Sequence, residues 1–219
     1  MLQPTNILTP KQVLFLELFN KSPFVHAFYL SGGTALCGFY IPYRYSDDLD
    51  FFSIEEFDAQ EILFWLKSVK NQLGFTALDI QTSFNRNLIF LEFNDEILKT
   101  EFTYYPFTTK HSEMYKKIRI DSIEDIALNK LFTIYQNPRL RDYMDLYMIM
   151  QKEKYSFSQL SRDARIKFDW HIDPVQLGSR LLQVKVRKDV PSAIDHFDFE
   201  GMEKFYLGIA RELGSKILE

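Results

Sequence analysis

The sequence predicts a mixed α/β fold, in which an N-terminal mixed β-sheet flanked by helices is followed by a C-terminal α-helical lobe. Runs that alternate apolar and polar residues are concentrated before about residue 115, whereas helical spacing and capping residues dominate after it. The chain of 219 residues is 46% hydrophobic with only 8 Gly and 8 Pro, so it can bury a large core with little low-complexity linker. We therefore expect two domains, residues 1–115 and residues 116–219.

Composition and charge exclude several kinds of protein. The formal net charge is −4, and acidic and basic residues are mixed along the chain, so binding of nucleic acid through overall charge is not expected. Cys37 is the only cysteine, which excludes an internal disulfide and a cysteine zinc site. The N-terminus lacks a signal-peptide pattern, and no apolar run approaches the roughly 20 residues that span a bilayer. We expect a cytoplasmic protein without membrane association.

The first predicted elements surround a pair of glycines. Thr9 can cap a helix that has a proline at its first position and apolar residues at helical spacing. The run HAFYL (26–30) predicts a strand, which Gly32 and Gly33 interrupt, and TALCGFY (34–40) predicts a helix directly after them. The predicted order is therefore strand, glycine turn, helix.

Four further strands and one helix complete the predicted sheet region. The run DDLDFFSI (47–54) alternates acidic and apolar residues and then becomes wholly apolar, as in a strand with one end at a solvent-filled cleft. Asp58 can cap a helix over residues 59–73, which Gly74 ends. Three later runs alternate well enough to be strands of one sheet: FTALDIQ (75–81), NLIFLEF (87–93) and ILKTEFTYY (97–105).

The second half of the chain predicts five helices. Ser122 and Asp125 form a capping box for the first, and Asn137-Pro138 begins the second. The predicted helices cover residues 126–136, 139–151, 156–168, 173–187 and 199–218.

Asp48 and Asp50 are the first candidates for chemistry. Residues two apart in a strand point to the same face, so these carboxylates lie side by side, whereas Leu49 and Phe51 enter the core and Asp47 faces away. Two carboxylates in this arrangement can bridge a pair of divalent ions, as in two-metal phosphoryl transfer. The sequence therefore predicts a metal site, with Mg²⁺ as the expected ion and Mn²⁺ as the alternative.

The Gly32-Gly33 turn is the second candidate, because the N-terminus of the helix after it can bind an anion such as a triphosphate. A Gly-Gly turn is commonly only structural, and an Asp-x-Asp is commonly a solvated strand end. The two motifs are more informative together, since residues 31–34 and 48–50 lie at the ends of two successive predicted strands joined by a helix.

The stretch LSGGTALCGFYIPYRYSDDLDFF (30–52) resembles the nucleotidyltransferase superfamily that includes DNA polymerase β. It is particularly similar to the AbiEii/AbiGii toxin branch, in which a Gly-Gly-Thr-Ala-Leu helix start is followed by Arg-x-Ser-x-Asp-Leu-Asp-Phe. The resemblance implies that residues 1–115 are the catalytic core. It implies nucleotide binding by Ser31, Gly32, Gly33, Thr34, Arg44 and Ser46.

The same resemblance implies a third metal-binding carboxylate on a later, adjacent strand. We expect Glu101 to supply it, together with Asp48 and Asp50, because its neighbours are apolar and should be buried. Glu92 is the competing candidate. The other interpretation of Glu101 is an ordinary solvent-facing position on a strand.

The stretch ALNKLFTIYQNPRLRDYMDLYMI (127–149) is also similar to the toxin branch, in which a helix lysine precedes an Arg-Asp-x-x-Asp-Leu stretch. The resemblance implies that Lys130 and Arg141 bind the triphosphate and that Asp142 is a catalytic residue that orients Lys130 or the acceptor. Arg141, Asp142 and Asp145 lie near one face of a helix, so a surface ion pair is the alternative interpretation. Residues 116–219 would then complete the active site and bind the acceptor.

Together these resemblances imply an enzyme that transfers a nucleoside monophosphate from an NTP to an acceptor hydroxyl. They imply the toxin of a toxin–antitoxin or phage-defence pair, with a cognate antitoxin as partner and tRNA or another RNA as acceptor. Two alternatives stay open. One is a small-molecule nucleotidyltransferase of the antibiotic-modifying kind, and the other is a catalytically silent binding module.

Three basic clusters are typical of solvated helix faces, and their alternative role is a local path for RNA phosphates. They are Lys116-Lys117-Arg119, Arg162-Arg165-Lys167 and Lys185-Arg187-Lys188.

Overall fold

The computed structural model describes residues 1–186 and 197–215. The chain divides into two compact units, Met1–Ser122 and Ile123–Glu219. The first unit contains a seven-stranded mixed sheet with three helices, and the second is helical in its described residues. The predicted fold class is confirmed. Within the part of the chain that is described, no helix combines the length and the apolar character needed to cross a bilayer.

Seven strands form the sheet of the first unit. They are β1 (Tyr29–Ser31), β2 (Leu49–Ser53), β3 (Ala77–Ser83), β4 (Arg86–Glu92), β5 (Ile97–Tyr104), β6 (Ser112–Tyr115) and β7 (Ile118–Asp121). Their order across the sheet is β3-β4-β5-β2-β1-β7-β6. Strand β2 pairs with β1 in antiparallel and with β5 in parallel orientation. These three strands are therefore direct neighbours in the middle of the sheet.

Three helices of the first unit begin and end where local chemistry predicts. Helix α1 (Pro10–Phe19) has Thr9 in a complete capping box, α2 (Gly32–Phe39) follows β1 directly, and α3 (Ala59–Leu73) is capped by the Asp58 carboxylate. Gly74 ends α3 in the left-handed region at φ 86°, which glycine adopts without a steric penalty. The three predicted helices are confirmed.

Two features of the sheet differ from the prediction. The strand expected over residues 26–30 begins only at Tyr29, because the residues before it form turns, including a hydrogen bond from the Ala27 amide to the Phe24 carbonyl. The hairpin of β6 and β7 was not predicted. Strand β7 is stabilised by parallel pairing with β1, a contact across about 90 residues that no local pattern indicates.

An aromatic cluster forms the core beneath the sheet. Phe51 of β2 and Phe102 of β5 stack with ring centroids 5.0 Å apart, and Phe19 of α1 packs on Phe51 at 4.4 Å. All three side chains are fully buried, and each such burial contributes about 1.5–3 kcal/mol. Because side chains alternate along a strand, burial of Phe51 and Phe102 turns their neighbours Asp50 and Glu101 to the opposite face.

The second unit consists of α4 (Ile123–Gln136), α5 (Leu140–Lys152), α6 (Phe157–Phe168), α7 (Pro174–Leu182) and α8 (Phe199–Ser215). Ser156 and Asp173 cap α6 and α7 through their side-chain oxygens. The helix predicted to reach residue 187 instead ends at Leu182 and continues as a 3₁₀ turn over Gln183–Val186. Its last predicted residue, Arg187, and the predicted end of α8 at Leu218 lie outside the described residues.

Candidate active site

The carboxylate of Asp50 lies against the glycine turn. Strand β1 ends at Ser31, which is opposite Asp50 in the antiparallel register, and α2 begins at the next residue, Gly32. Gly32 has φ 74°, a conformation that other residues rarely adopt. A Cβ atom at this position would also come within 2.4 Å of Asp50 Oδ2. The turn therefore needs glycine both for its backbone and for the approach of this carboxylate.

Asp48 is held just before β2 by its backbone. The Thr34 hydroxyl in α2 donates a short hydrogen bond to the Asp48 carbonyl. The Gln12 side chain in α1 donates to the carbonyls of Ser46, at 2.7 Å, and Asp47, at 3.2 Å. Two helices thus fix the loop that leads into β2. The side chains of Asp48 and Asp50 are half-buried and that of Asp47 is exposed, as the predicted alternation requires.

A buried guanidinium lies beside the second glycine. A Cβ atom on Gly33 would come within 2.3 Å of Arg44 Nη2 and 2.9 Å of Ser46 Oγ, so both groups pack against the first turn of α2. Arg44 is buried and donates to the Tyr45 carbonyl at 2.8 Å and to the Tyr43 hydroxyl at 3.2 Å. Arg44 therefore adds a fixed positive charge to the positive end of the helix dipole.

Ser31 connects the turn to a buried acid that the sequence analysis missed. The Ser31 hydroxyl donates to Asp121 Oδ2 at 2.6 Å, and the Tyr40 hydroxyl donates to the Asp121 carbonyl at 2.9 Å. Asp121 is fully buried at the end of β7. The signal was an acid closing the alternating run IRID, which becomes informative only once β7 is seen to pair with β1. The Ser31 side chain therefore forms a hydrogen bond to a neighbouring strand of the sheet.

Glu101 lies next to Asp50, in register on the adjacent parallel strand β5. Both Glu101 oxygens accept hydrogen bonds from Arg86, at 2.7 Å and 2.6 Å, and Oε1 also accepts one from Thr103 at 2.7 Å. Burial acts to raise the pKa of Glu101, but these hydrogen bonds outweigh it and the pKa lies below its usual value. The competing Glu92 is exposed and pairs with Ile97, four residues before Glu101 on β5. The geometry therefore brings Glu101, and not Glu92, beside Asp50.

Lys99 forms an ion pair with Asp48, as Arg86 does with Glu101. Lys99 Nζ lies 2.8 Å from Asp48 Oδ2, with the two side chains 27% and 21% exposed. Lys99 and Arg86 were not identified from the sequence as parts of the site. Each of these two residues belongs to a strand of alternating polar and apolar residues. Only the pairing of β2, β4 and β5 shows that Lys99 contacts Asp48 and that Arg86 contacts Glu101.

The donor set fits a divalent cation in its chemistry, because carboxylate oxygens are hard ligands and Asp50 and Glu101 are in register on adjacent strands, with Asp48 two residues before Asp50. No group of three or more acidic, histidine or cysteine side chains within residues 1–186 and 197–215 is arranged as a ready-made metal site. Instead, Lys99 binds Asp48 and Arg86 binds Glu101. Asp48 and Asp50 are the residues that would hold the ion, and Glu101 would join them in competition with Arg86.

The candidate residues of the second unit form a buried ionic cluster. Lys130 Nζ in α4 lies 2.9 Å from Asp142 Oδ1 and 2.7 Å from Asp145 Oδ2, both in α5. The other oxygen of Asp142 accepts the Arg139 amide at 3.0 Å and closes the first turn of α5. The alternative of a surface ion pair is wrong for Asp142 and Asp145, because both are buried. Arg141, on the same helix, is half-buried.

Comparison with known proteins identifies the family. Residues 14–205 match the family described as "Nucleotidyl transferase AbiEii toxin, Type IV TA system". The chain belongs to this family. It is therefore a nucleotidyltransferase, as the resemblance of residues 30–52 and 127–149 implied, and both the family and the enzyme class predicted from the sequence are confirmed.

Two proteins of known sequence or structure are similar to this AbiEii family member over most of their length. The uncharacterized protein aq_aa25 of Aquifex aeolicus (strain VF5) is 29% identical over 191 residues, which cover 82% of this chain and 84% of that protein. The crystal structure of JHP933 from Helicobacter pylori superposes with a TM-score of 0.59 and 20% identity, covering 98% of this chain and 94% of that one. At this identity, the second likeness shows a shared fold alone.

Proposed function

We propose that this AbiEii family member transfers a nucleoside monophosphate from a nucleoside triphosphate to a hydroxyl group of an RNA acceptor, tRNA being the first candidate. One observation carries the proposal. The Asp50 carboxylate lies directly against Gly32 at the start of α2, with Glu101 beside it in register. A helix N-terminus that can bind phosphate and carboxylates that can bind a metal ion are thereby adjacent. A triphosphate with its metal ion needs both.

The triphosphate would be bound at the first turn of α2. The backbone amides of that turn have no partner within the helix, and the glycines allow a phosphate oxygen to approach them closely. The Arg44 guanidinium and the Ser46 hydroxyl, both packed against Gly33, add a positive charge and a hydrogen-bond donor at the same place. Ser31 and Thr34 support the site through Asp121 and the Asp48 backbone, so we assign them a positioning role.

Asp48 and Asp50 would hold Mg²⁺, with Mn²⁺ as the alternative ion. A bound ion would neutralise phosphate charge and lower the pKa of the attacking hydroxyl. In the transfer, the acceptor oxygen forms a bond to the α-phosphorus, the bond between the α-phosphorus and the bridging oxygen breaks, and pyrophosphate leaves. The hydroxyl proton passes to solvent. The chain's own contribution is to orient the phosphates and to place charge around them.

The proposal includes residues of the second unit on the strength of their family motif. Lys130 and Arg141 would bind the nucleotide, and Asp142 would position the Lys130 ammonium. The contacts within the unit support that positioning, because Asp142 and Asp145 hold Lys130 from two sides. We further propose that the enzyme acts as the toxin of a toxin–antitoxin pair, neutralised through a cognate antitoxin protein.

Substitution of the aspartates tests the transfer reaction. The protein is incubated with each α-labelled NTP, Mg²⁺ or Mn²⁺, and total tRNA, and label in RNA is measured. Asp50→Asn and Asp48→Asn keep the size of the side chain but remove its charge, so we expect the rate to fall by about 10³-fold or more. Asp47→Asn is the matched control, because Asp47 is the exposed neighbour, and it should keep the full rate.

Equal labelling of RNA by wild type, Asp48→Asn and Asp50→Asn would contradict the proposal. Transfer to a small hydroxylated compound but not to RNA would assign the acceptor to the antibiotic-modifying class instead. Absence of any transfer, with NTP bound equally by all three proteins, would identify a silent binding module.

Expression in bacteria gives an independent measurement, since growth arrest should require Asp48 and Asp50.

A further inference from the structure

A groove on the second unit has the composition of a nucleic-acid site. It has a volume of about 580 Å³ and is formed by the last turns of α6 and the segment after it. Its lining residues are Arg162, Arg165, Ile166, Asp169, Trp170 and His171. Two arginines and a histidine therefore line the same groove as a tryptophan, and Asp169 is the one acidic residue of the lining. We call this feature the Trp170 groove.

The indole of Trp170 is held at the surface by the core beneath it. Phe168 is buried and stacks on Phe132 with ring centroids 4.0 Å apart. Asp169 then ends α6 in the left-handed region at φ 45°, which turns the chain so that Trp170 packs against Phe132 at an angle of 73°. Trp170 nevertheless remains 54% exposed. A large aromatic ring is thus in edge contact with Phe132 and still open to a ligand.

The basic cluster predicted over residues 162–167 is divided by the structure. The Lys167 side chain is 4% exposed and forms an ion pair with Asp125 at 2.8 Å, so its ammonium group is not at the surface. Arg162 and Arg165 are exposed, lie three residues apart on one side of α6 and line the groove. The helix therefore uses one cation for its own packing and presents two others beside Trp170.

We propose that the Trp170 groove binds single-stranded RNA, with a base stacked on Trp170 and adjacent phosphates on Arg162 and Arg165. Stacking on an aromatic ring combined with cations that follow the backbone is how sequence-tolerant single-strand binding works. An acidic peptide could satisfy the two guanidinium groups, but in a single-stranded nucleic acid every phosphate has a flat base beside it, so an exposed indole next to two guanidinium groups favours nucleic acid. This inference rests on the proposed transfer to an RNA acceptor and assigns that acceptor a site on the second unit.

Intrinsic fluorescence can measure this binding directly, because the chain has two tryptophans in different environments. Trp65 is 8% exposed in the first unit, whereas Trp170 is accessible. A short single-stranded RNA oligonucleotide is titrated, without NTP, into the full chain that carries Asp48→Asn. We expect saturable quenching of tryptophan emission. Trp170→Phe should remove this quenching but keep the binding, which is measured separately by the anisotropy of a labelled oligonucleotide. Trp170→Ala should weaken binding by about 10- to 100-fold.

The arginines should account for the salt dependence. Arg162→Ala combined with Arg165→Ala removes two phosphate contacts, so affinity should fall about tenfold or more and the slope of log affinity against log salt should decrease by about 1.4. The matched control is Phe64→Ala with Lys67→Ala on the first unit. There an exposed aromatic ring also has a cation near it, at 6.0 Å, and the affinity should change less than twofold.

Three outcomes would overturn the groove assignment. They are equal RNA affinity of the wild type and the groove variants, an equal loss in the Phe64 and Lys67 control, and tighter binding of an acidic peptide of the same charge than of the RNA. The transfer assay separates this inference from the proposed function. RNA binding that depends on Trp170, without labelling of RNA by the wild type, would reject the transfer and keep the groove. Labelling that is unaffected by the groove variants at limiting RNA would reject the groove and keep the transfer.

Discussion

The two regions that carry family motifs both pair acids with cations, but they do so at different depths. At the edge of β2, Lys99 and Asp48 remain 27% and 21% exposed, and Arg86 is more exposed still. In the second unit, Lys130 is 10% exposed and its partners Asp142 and Asp145 are buried. Water can replace Lys99 on Asp48 at small cost, whereas in the second unit it cannot reach Asp142 and Asp145.

The difference separates acids that are available for a ligand from acids that hold the fold. A carboxylate with a partly exposed partner can exchange that partner for a metal ion. Two buried carboxylates around one ammonium lose the cation they share if the ammonium moves, and the exposed Arg139 is 3.6 Å from Asp142 alone. The cluster of Lys130, Asp142 and Asp145 therefore connects α4 to α5 first of all, and any nucleotide contact by Lys130 must be made with its charge shared between two acids.

The largest expected effect is on stability. Lys130→Met removes the cation that two buried carboxylates share and should lower the free energy of unfolding by about 3–5 kcal/mol, measured by urea denaturation at neutral pH. Lys99→Met removes a partly exposed pair and should cost about 1 kcal/mol or less. Lys204→Met is the control in the second unit, because its exposed pair with Glu200 should contribute almost nothing.

Equal losses for Lys130→Met and Lys99→Met would remove the distinction between the two regions. If Lys130→Met lowered the free energy of unfolding by less than about 1 kcal/mol, the carboxylates of Asp142 and Asp145 would have to be protonated or hydrated in the variant. Where the variant remains folded, a decrease in NTP affinity beyond that of the control would support the proposed nucleotide contact.

A smaller effect should distinguish Glu101 from the two aspartates. Arg86 binds both oxygens of Glu101, so a metal ion competes with a bidentate, charge-assisted pair. Arg86→Ala removes the competitor and should raise Mn²⁺ affinity about tenfold, measured by titration calorimetry or by the spin-resonance signal of the free ion. Arg86→Lys keeps a positive charge and should give a smaller rise. Unchanged affinity in Arg86→Ala would remove Glu101 from the metal site.

The contrast between the regions also shows how far the sequence could predict this molecule. Helix ends were predictable because their causes are local: the Thr9 capping box, the Asp58 side chain and the left-handed Gly74 each act within a few residues. The alternation around Asp48 and Asp50 was equally local. The family motif then supplied the enzyme class, which alternation alone could not.

Long-range pairing was beyond these patterns. Apolar neighbours predict that Glu101 is buried, but its position beside Asp50 depends on a parallel register between residues 51 apart in the chain. The same holds for Lys99 on Asp48 and for Asp121 behind Ser31. In α5, helical spacing placed Asp142 and Asp145 on one face but could not show that this face is buried. The burial of the ion pairs, which differs between the two regions, is determined by tertiary packing and not by local sequence.

The smallest effect is the pH dependence of stability, and it follows from the same contrast. Burial acts to raise the pKa of Asp142, but the charge and hydrogen bond of Lys130 outweigh it, so the pKa lies below the ordinary value of 3.8. The pKa of Glu101 is lowered by Arg86 in the same way, from an ordinary 4.5. A carboxyl group with a lowered folded pKa binds fewer protons when folded. Its stabilisation is therefore complete above the unfolded pKa and is lost as pH falls through the folded one.

Urea denaturation from pH 7 to pH 3 should show this order. The stability difference between wild type and Asp142→Asn should stay constant from pH 7 to about pH 5 and decrease only below about 3.8, the unfolded pKa of the group. The difference for Glu101→Gln should already decrease below about 4.5 and should be smaller throughout, because the partner Arg86 is exposed. A difference that grows as the pH falls would mean that these acids are stabilised in their protonated form, and that the cations beside them are not what keeps them charged.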